Sequence, residues 1–86
     1  MMQAVTDNTQ KSRFELVEEG YVAYADYRRD GKTLYINYVF SPPELRGKGT
    51  AGRLMEGIVA AAQAADQEIY PICGYAAAWL RRHNQT

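Results

Sequence analysis

The chain has 86 residues, of which 47% are hydrophobic, so it can bury one modest core and is long enough for a single domain. Ten basic and ten acidic side chains cancel, which argues against a protein that holds nucleic acid through its net charge. One cysteine and one histidine exclude an internal disulfide framework, a cysteine-based zinc cluster and a histidine-rich metal site. Any anion site must therefore be local and built by geometry.

The first twelve residues are polar and lack the apolar core of a signal peptide. We expect residues 1–12 to form a flexible or irregular segment, followed by one domain at 13–86. No stretch approaches the length of a membrane span. These observations predict a cytoplasmic protein without a membrane or nucleic-acid partner, present as a monomer or weak homodimer.

Three strand patterns occupy the first half of the domain. Arg13–Val17 alternates and ends at a Glu-Glu-Gly turn, and Tyr21–Tyr27 is rich in aromatic and small residues. The Asp-Gly pair at 30–31 lies between two strand-like runs and is a strong hairpin signal, because glycine adopts a positive φ without cost. Lys32–Phe40 is the clearest strand. The three together predict an antiparallel meander.

Side chains of the Lys32–Phe40 strand point alternately to the two faces of the predicted sheet. Leu34, Ile36, Tyr38 and Phe40 are predicted to lie on one face. The residues that alternate with them are mostly large as well. We therefore expect both faces of the sheet to be covered.

The second half of the chain predicts a helix, a strand and a second helix. Ser41, Pro42 and Pro43 end the preceding strand, because proline supplies no donor to a ladder. Apolar residues then recur at helical spacing through Thr50–Ala65, as Ala51, Leu54, Met55, Ile58, Val59 and Ala62. A short strand at Gln67–Cys73 and a helix at Tyr75–His83 follow. The order β-β-β-α-β-α, with the last strand parallel, predicts an α+β fold, an α/β sandwich.

The loop between the clearest strand and the first helix has the features of an anion site. It reads Arg46-Gly47-Lys48-Gly49-Thr50-Ala51. The first amides of a helix lack internal partners, and the helix dipole adds partial positive charge there. The two glycines let backbone N–H groups approach phosphate oxygens closely, and the arginine and lysine add countercharge. The alternative is a glycine-rich turn with exposed basic residues.

Two other phosphate-binding loops fit this stretch poorly. A P-loop needs Gly-x-x-x-x-Gly-Lys-Ser/Thr, and the segment from Gly47 to Thr50 is too short for it. The dinucleotide string Gly-x-Gly-x-x-Gly is matched by residues 47–52, but it follows a meander strand across two prolines. A chain this short also cannot hold a dinucleotide-binding half and a substrate domain.

The loop resembles the acetyl-CoA motif of the GNAT acetyltransferase superfamily, Gln/Arg-x-x-Gly-x-Gly/Ala, which Arg46, Gly49 and Ala51 fill in register. The flanking strand, helix and strand agree with that resemblance. Pro42–Met55, residues 71–75 and residues 79–83 look like a short single-domain GNAT subfamily, so the resemblance covers about 13–83. It implies an acetyl-CoA-dependent N-acetyltransferase that transfers acetyl to an amine by direct attack on the thioester.

The resemblance also implies the binding residues. Backbone amides across the loop would hold the CoA pyrophosphate, and the end of the preceding strand would run beside the pantetheine. The expected CoA-binding residues are Val39, Phe40, Arg46, Gly47, Lys48, Gly49, Thr50 and Ala51. The strand at Gln67–Cys73 would diverge from its neighbour and open a slot for the thioester. The acceptor is an unidentified small amine or protein lysine, and no metal is expected.

Two residues are candidates for catalysis. Cys73 would lie near the acetyl group, either as an acyl carrier or, as we favour, as part of the slot wall. Tyr38 could donate a proton, as could Tyr75. His83 is ten positions from the cysteine, across a helix, so a Cys–His pair is not expected. Two alternatives remain: a CoA-binding module with little catalysis, and an interaction protein whose basic loop contacts another phosphate.

Overall fold

Five strands and two helices make up residues 5–83, the part of the chain that the computed structural model describes. The strands lie in the order β1-β2-β3-β4-β5; β1 to β4 pair antiparallel, and β5 is parallel to β4. The elements are β1 (Thr6–Asn8), β2 (Arg13–Glu18), β3 (Tyr21–Asp30), β4 (Thr33–Phe40), α1 (Thr50–Ala64), β5 (Glu68–Pro71) and α2 (Gly74–Arg82). The expected α+β class is confirmed.

The short strand β1 corrects the expectation that residues 1–12 are flexible or irregular. Thr6–Asn8 pairs with the start of β2 at the edge of the sheet. The Asp7 carboxylate accepts hydrogen bonds from the Tyr27 hydroxyl at 2.5 Å and from Arg29 at 3.0 Å. A three-residue strand is too short to show alternation, so only these long-range contacts reveal it. The part of the segment at 1–4 lies outside the described residues.

Two tight turns give the meander that the sequence predicts. Glu19 and Gly20 join β2 to β3 with φ of 53° and 81°. Gly31, with φ of 61°, opens the turn from β3 to β4 at the Asp-Gly pair. Positive φ at these positions matches the twist of the flanking strands. The hairpin predicted at 30–31 is therefore confirmed.

A β-bulge in β4 changes the face assignment of that strand. Tyr27 pairs with Ile36 and Asp26 with Tyr38, so β4 carries one extra residue, Asn37. An extra residue reverses the alternation beyond it. Leu34 and Ile36 are buried as predicted, but the Tyr38 side chain is 50% exposed, on the other face of the sheet.

Both helices pack on one face of the sheet and leave the other open. Their core residues join those of the strands in a single cluster, which includes Phe14, Leu16, Leu34, Ile36, Leu54, Met55, Ile58, Trp79 and Leu80. The open face exposes Val17, Val22 and Tyr70. Arg13 and Arg28 lie over Tyr24 and Tyr35 on that face, so the arginine side chains shield part of its aromatic surface. The expectation that both faces are covered is wrong, because no element crosses to the second side within residues 5–83.

Helix α1 carries a glycine at its contact with the N-terminal segment. A Cβ on Gly57 would overlap the Val5 side chain. Glycine in the middle of a helix costs about 1 kcal/mol relative to alanine. Here it makes room for Val5, which packs against the core and so fixes the chain leading into β1.

Candidate functional site

The loop from β4 to α1 is anchored by a buried leucine. Pro43–Leu45 forms one turn of 3-10 helix, and the Leu45 side chain is buried beneath it. Gly47 and Gly49 follow with φ of 79° and 80°, a backbone conformation that residues with a Cβ rarely adopt. The chain therefore turns twice in four residues before the helix begins.

The start of α1 presents a group of free backbone amides. Gly49 is the N-cap residue and supplies no side-chain cap. Arg53 donates the first helical hydrogen bond, to the Gly49 carbonyl at 3.1 Å. Among residues 5–83, no acceptor bonds the amides of Gly47, Gly49, Thr50, Ala51 and Gly52. Five such donors beside the positive end of the helix dipole form an anion-binding surface.

A cavity of about 380 Å³ extends from these amides along the end of β4. Its volume lies within the range typical of ligand pockets. The wall consists of the C-terminal end of β4, the loop, the first turn of α1 and one residue of α2, namely Tyr38, Val39, Phe40, Ser41, Leu45, Arg46, Gly47, Gly49, Thr50, Ala51, Gly52 and Tyr75. Of the eight expected CoA-binding residues, seven lie in this wall. Lys48 does not.

The strands β4 and β5 separate beside this cavity. Their pairing runs from Thr33 to Ile36 on β4. The amides of Ile72 and Cys73 then both donate to the Ile36 carbonyl, at 2.9 and 3.0 Å. Beyond that point β4 continues to Phe40, and no strand within residues 5–83 pairs with it on this side. The divergence expected at this pair of strands is therefore present, and it leaves the edge of β4 open to a ligand.

A buried hydroxyl without a partner lies in the cavity wall. The Ser41 Oγ is inaccessible to solvent and makes no hydrogen bond with any described residue. Buried polar groups are nearly always satisfied, so an orphan of this kind needs an explanation. Ser41 belongs to the cavity wall, at the end of β4 between the strand edge and the loop amides, so a bound ligand is a candidate partner for the hydroxyl once local movement exposes it.

The cations of the loop have different partners. The Arg46 Nε donates to the Ser41 carbonyl at 3.1 Å, which holds the guanidinium at the cavity wall. The Lys48 ammonium instead pairs with the Glu19 carboxylate, at 2.9 and 3.1 Å. Lys48 therefore points toward the β2–β3 turn. In this position it does not supply the countercharge at the cavity that the sequence suggests.

A second carboxylate, at the end of β2 next to that turn, reaches the helix start. Glu18 accepts hydrogen bonds from the Thr50 hydroxyl at 2.6 Å and from the Arg53 Nε and Nη2 at 2.6 and 2.8 Å. The bonds to Arg53 and then Thr50 lower the pKa of Glu18 from its ordinary value of 4.5 to about 2. Sequence reasoning missed this contact, because a residue 32 positions away in the chain gives no local signal.

The candidate catalytic residues occupy different positions around the cavity. Tyr38 and Tyr75 both lie in its wall, from β4 and α2 respectively. Burial raises the pKa of Tyr75, although nearby Arg82 opposes the shift. Cys73 is the N-cap of α2, half-buried against the core and outside the cavity wall. The ring of His83 stacks on Trp79 at the other end of α2, consistent with the expectation that it does not pair with Cys73.

Two further findings concern other kinds of site. Within residues 5–83, no group of three or more metal-ligating side chains lies close enough to hold an ion. Neither described helix has the length and apolar character needed to cross a bilayer.

Comparison with known proteins agrees with this geometry. A protein-family model described as GCN5-related N-acetyl-transferase matches residues 13–86. A search of curated proteins gave no match. The match covers nearly all of the chain, including every element from β2 to α2. The protein therefore belongs to a family of GCN5-related N-acetyltransferases.

Proposed function

We propose that this domain is an acetyl-CoA-dependent N-acetyltransferase that transfers the acetyl group to an amine by direct attack on the thioester. The observation that carries the proposal is the group of free amides at Gly47 and residues 49–52, continuous with the open edge of β4. The amides suit the pyrophosphate of CoA, and the strand edge suits the amide groups of its pantetheine arm. The orphan Ser41 hydroxyl supplies one more donor along that path.

Residues of this chain would position the reaction. Acetyl-CoA supplies an activated acyl group; a neutral amine forms the new C–N bond as the C–S bond breaks, the sulfur leaves as thiolate, and the nitrogen then loses its extra proton to solvent. Tyr75 is the better-placed proton donor for that thiolate, since α2 holds it in the cavity wall, whereas the Tyr38 side chain lies on the open face of the sheet. Tyr38 is the alternative donor. We expect Tyr75→Phe to lower kcat about tenfold or more, and Tyr38→Phe to change it less.

No general base lies in the cavity wall, which contains no carboxylate and no imidazole among the described residues. The acceptor must then lose its proton to solvent before it attacks. For an alkylamine we expect kcat/KM to rise with pH toward the pKa of the amine itself, about 10.4 for a lysine side chain. A plateau near neutral pH would instead require a base on the protein.

Cys73 is proposed to line the acyl slot without carrying the acyl group. Its amide is held at the point where β4 and β5 part, but the residue lies outside the cavity wall. We expect Cys73→Ala to keep most of the turnover, and wild type incubated with acetyl-CoA alone to show no gain of an acetyl mass. An acetyl adduct on Cys73 that disappears on addition of amine would overturn direct transfer.

The proposal is tested by calorimetric titration with CoA and by free-thiol release from acetyl-CoA across a panel of amines. Gly47→Ala and Gly31→Ala form a matched pair, because both glycines have positive φ and nothing lies within 4 Å of an added Cβ. Each variant should lose about 1–2 kcal/mol of stability. Only Gly47→Ala should weaken CoA binding, by about tenfold. Equal CoA affinities in the two variants would remove the loop from the site.

A second candidate function is a CoA-binding module with little or no catalysis. Among residues 5–83, no carboxylate or imidazole lies in the cavity wall, which favours this function. The same experiments separate the two functions: a module binds CoA, but releases no thiol with any amine of the panel.

A further inference from the structure

We infer that Glu18 is a positioning residue for the CoA loop, acting through Arg53 and Thr50. This inference rests on the proposed acetyl-CoA site. Glu18 is the last residue of β2, and 13% of its side chain is exposed. Its two carboxylate oxygens hold the guanidinium of one residue and the hydroxyl of the other in the first turn of α1. No atom of Glu18 lies in the cavity wall, so any effect on CoA must be indirect.

The guanidinium held by Glu18 reaches the loop backbone. The Arg53 Nη2 also donates to the Lys48 carbonyl at 2.8 Å. That carbonyl and the Gly49 N–H belong to one peptide unit, and a trans peptide directs the two groups oppositely. With the carbonyl turned toward Arg53, the Gly49 N–H points away from the guanidinium. We call the bonded set of Glu18, Thr50 and Arg53 the clamp. Gly49 is also a residue of the cavity wall, so this orientation makes its amide available to an anion there.

Glycine at position 49 is part of the same arrangement. A Cβ there would lie 3.1 Å from the Arg53 Nη1, closer than most real contacts of this kind, and φ at this residue is 80°. The absence of a side chain at Gly49 therefore leaves space for the Arg53 guanidinium and also allows the positive φ of the turn. The guanidinium, carboxylate and loop carbonyl form one connected set that fixes the peptide before any ligand arrives. Such preorganisation lowers the cost of binding.

The test compares Glu18→Gln with Glu15→Gln. Both glutamates lie in β2, and each accepts a 2.6 Å hydrogen bond from an arginine Nε and a bond from a second donor. The Glu15 partners are Arg13 and Asn8, which lie outside the cavity wall. We expect Glu18→Gln to raise the Kd for CoA and the KM for acetyl-CoA about tenfold with kcat within about twofold, and Glu15→Gln to change neither.

Arg53→Lys is the second variant, because it keeps the positive charge but cannot bond the carboxylate and the Lys48 carbonyl through one planar group. It should raise the Kd about as much as Glu18→Gln does. The double variant should bind CoA no worse than the poorer single one, as expected for residues that act as a unit. Additive losses would mean that the two side chains act separately, and the clamp would be refuted.

Amide hydrogen exchange in the free protein separates failure of this inference from failure of the proposed function. The Arg53 amide, which donates to the Gly49 carbonyl, should exchange faster, and the Gly49 NMR signal should shift or broaden, in Glu18→Gln but not in Glu15→Gln. If wild type does not bind CoA, the proposed CoA site is refuted. The exchange data then decide by themselves whether the clamp orders the loop. If wild type binds CoA and Glu18→Gln matches it in affinity and exchange, the clamp is refuted.

Discussion

The orphan hydroxyl of Ser41 predicts a substitution that stabilises the free protein and weakens its ligand binding. In Ser41→Ala, the buried Oγ is removed together with its unmet hydrogen-bonding requirement. The backbone carbonyl of the same residue, which accepts from Arg46, is unaffected by the change. The free protein therefore loses no bond in the substitution, whereas the complex would lose the one that this hydroxyl makes to CoA.

The magnitudes follow from the burial of that oxygen. A buried hydroxyl left without a partner costs about 1–3 kcal/mol. Allowing for partial relaxation, we expect alanine to raise the free energy of unfolding by about 1 kcal/mol. For a domain of 60–100 residues, that corresponds to a rise in Tm of about 4–8 °C. The lost ligand bond should cost about 0.5–1.5 kcal/mol, or about two- to tenfold in Kd.

Thermal unfolding with and without saturating CoA measures both effects in one experiment. Without CoA, Ser41→Ala should have a higher Tm than wild type. The rise in Tm on adding saturating CoA should be smaller for Ser41→Ala than for wild type. Ser12→Ala changes an exposed serine in the β1–β2 turn, so it is the control for loss of a serine hydroxyl away from the cavity. It should bind CoA as wild type does. A Ser41→Ala protein that melts below wild type would show that the hydroxyl already has a partner in the free protein, and one that binds CoA equally well would show that the hydroxyl makes no bond to CoA.

Three further predictions concern the scaffold. Gly57→Ala should be destabilising despite the better helix propensity of alanine, because its Cβ displaces Val5; faster amide exchange at 6–8 would confirm this, and a more stable variant would contradict it. Ile58→Ala should cost about 2–4 kcal/mol in urea denaturation, since Ile58 is 0% exposed, and a loss well under 1 kcal/mol would refute its place in the core. The lowered pKa of Glu18 gives stability that is present above pH 4.5 and is lost as pH falls toward about 2. Glu18→Gln should therefore reduce the loss of stability over that pH range, and by more than Glu15→Gln does, although the hydrogen bond from Arg13 lowers the pKa of Glu15 as well.

The sequence predicts best those features that depend on local chemistry. Helix α1 begins at Thr50 as expected and ends one residue earlier, because glycine before it and apolar spacing within it are local signals. The Asp-Gly hairpin and the loop with its two glycines are of the same kind. Positive φ at Gly31, Gly47 and Gly49 is what those positions predict. Each of these features needs only a few neighbouring residues to specify it.

Features that depend on distant partners were not predictable in this way. The edge strand β1 depends on the bonds of Asp7 to a tyrosine 20 positions away, and the loop clamp on a carboxylate 32 positions from Thr50. The bulge at Asn37 is an equally clear case, because the residues around it continue to alternate in the sequence. The face of Tyr38 was therefore assigned wrongly, while the faces of Leu34 and Ile36, which precede the bulge, were assigned correctly.

The bulge also helps to explain why a domain this small has a slot at all. An extra residue increases the local twist of a strand, and it falls directly after Ile36, where pairing with β5 ends. From Ile36 to Phe40 the open edge of β4 covers about 13 Å at 3.3 Å per residue, and it leads to the free amides of Gly47 and residues 49–52. A ligand that satisfies both parts must carry a phosphate group and a slender chain of about that length with amide groups of its own. Phosphopantetheine has this composition, whereas a nucleotide alone would satisfy the loop and leave the strand edge and Ser41 unpaired.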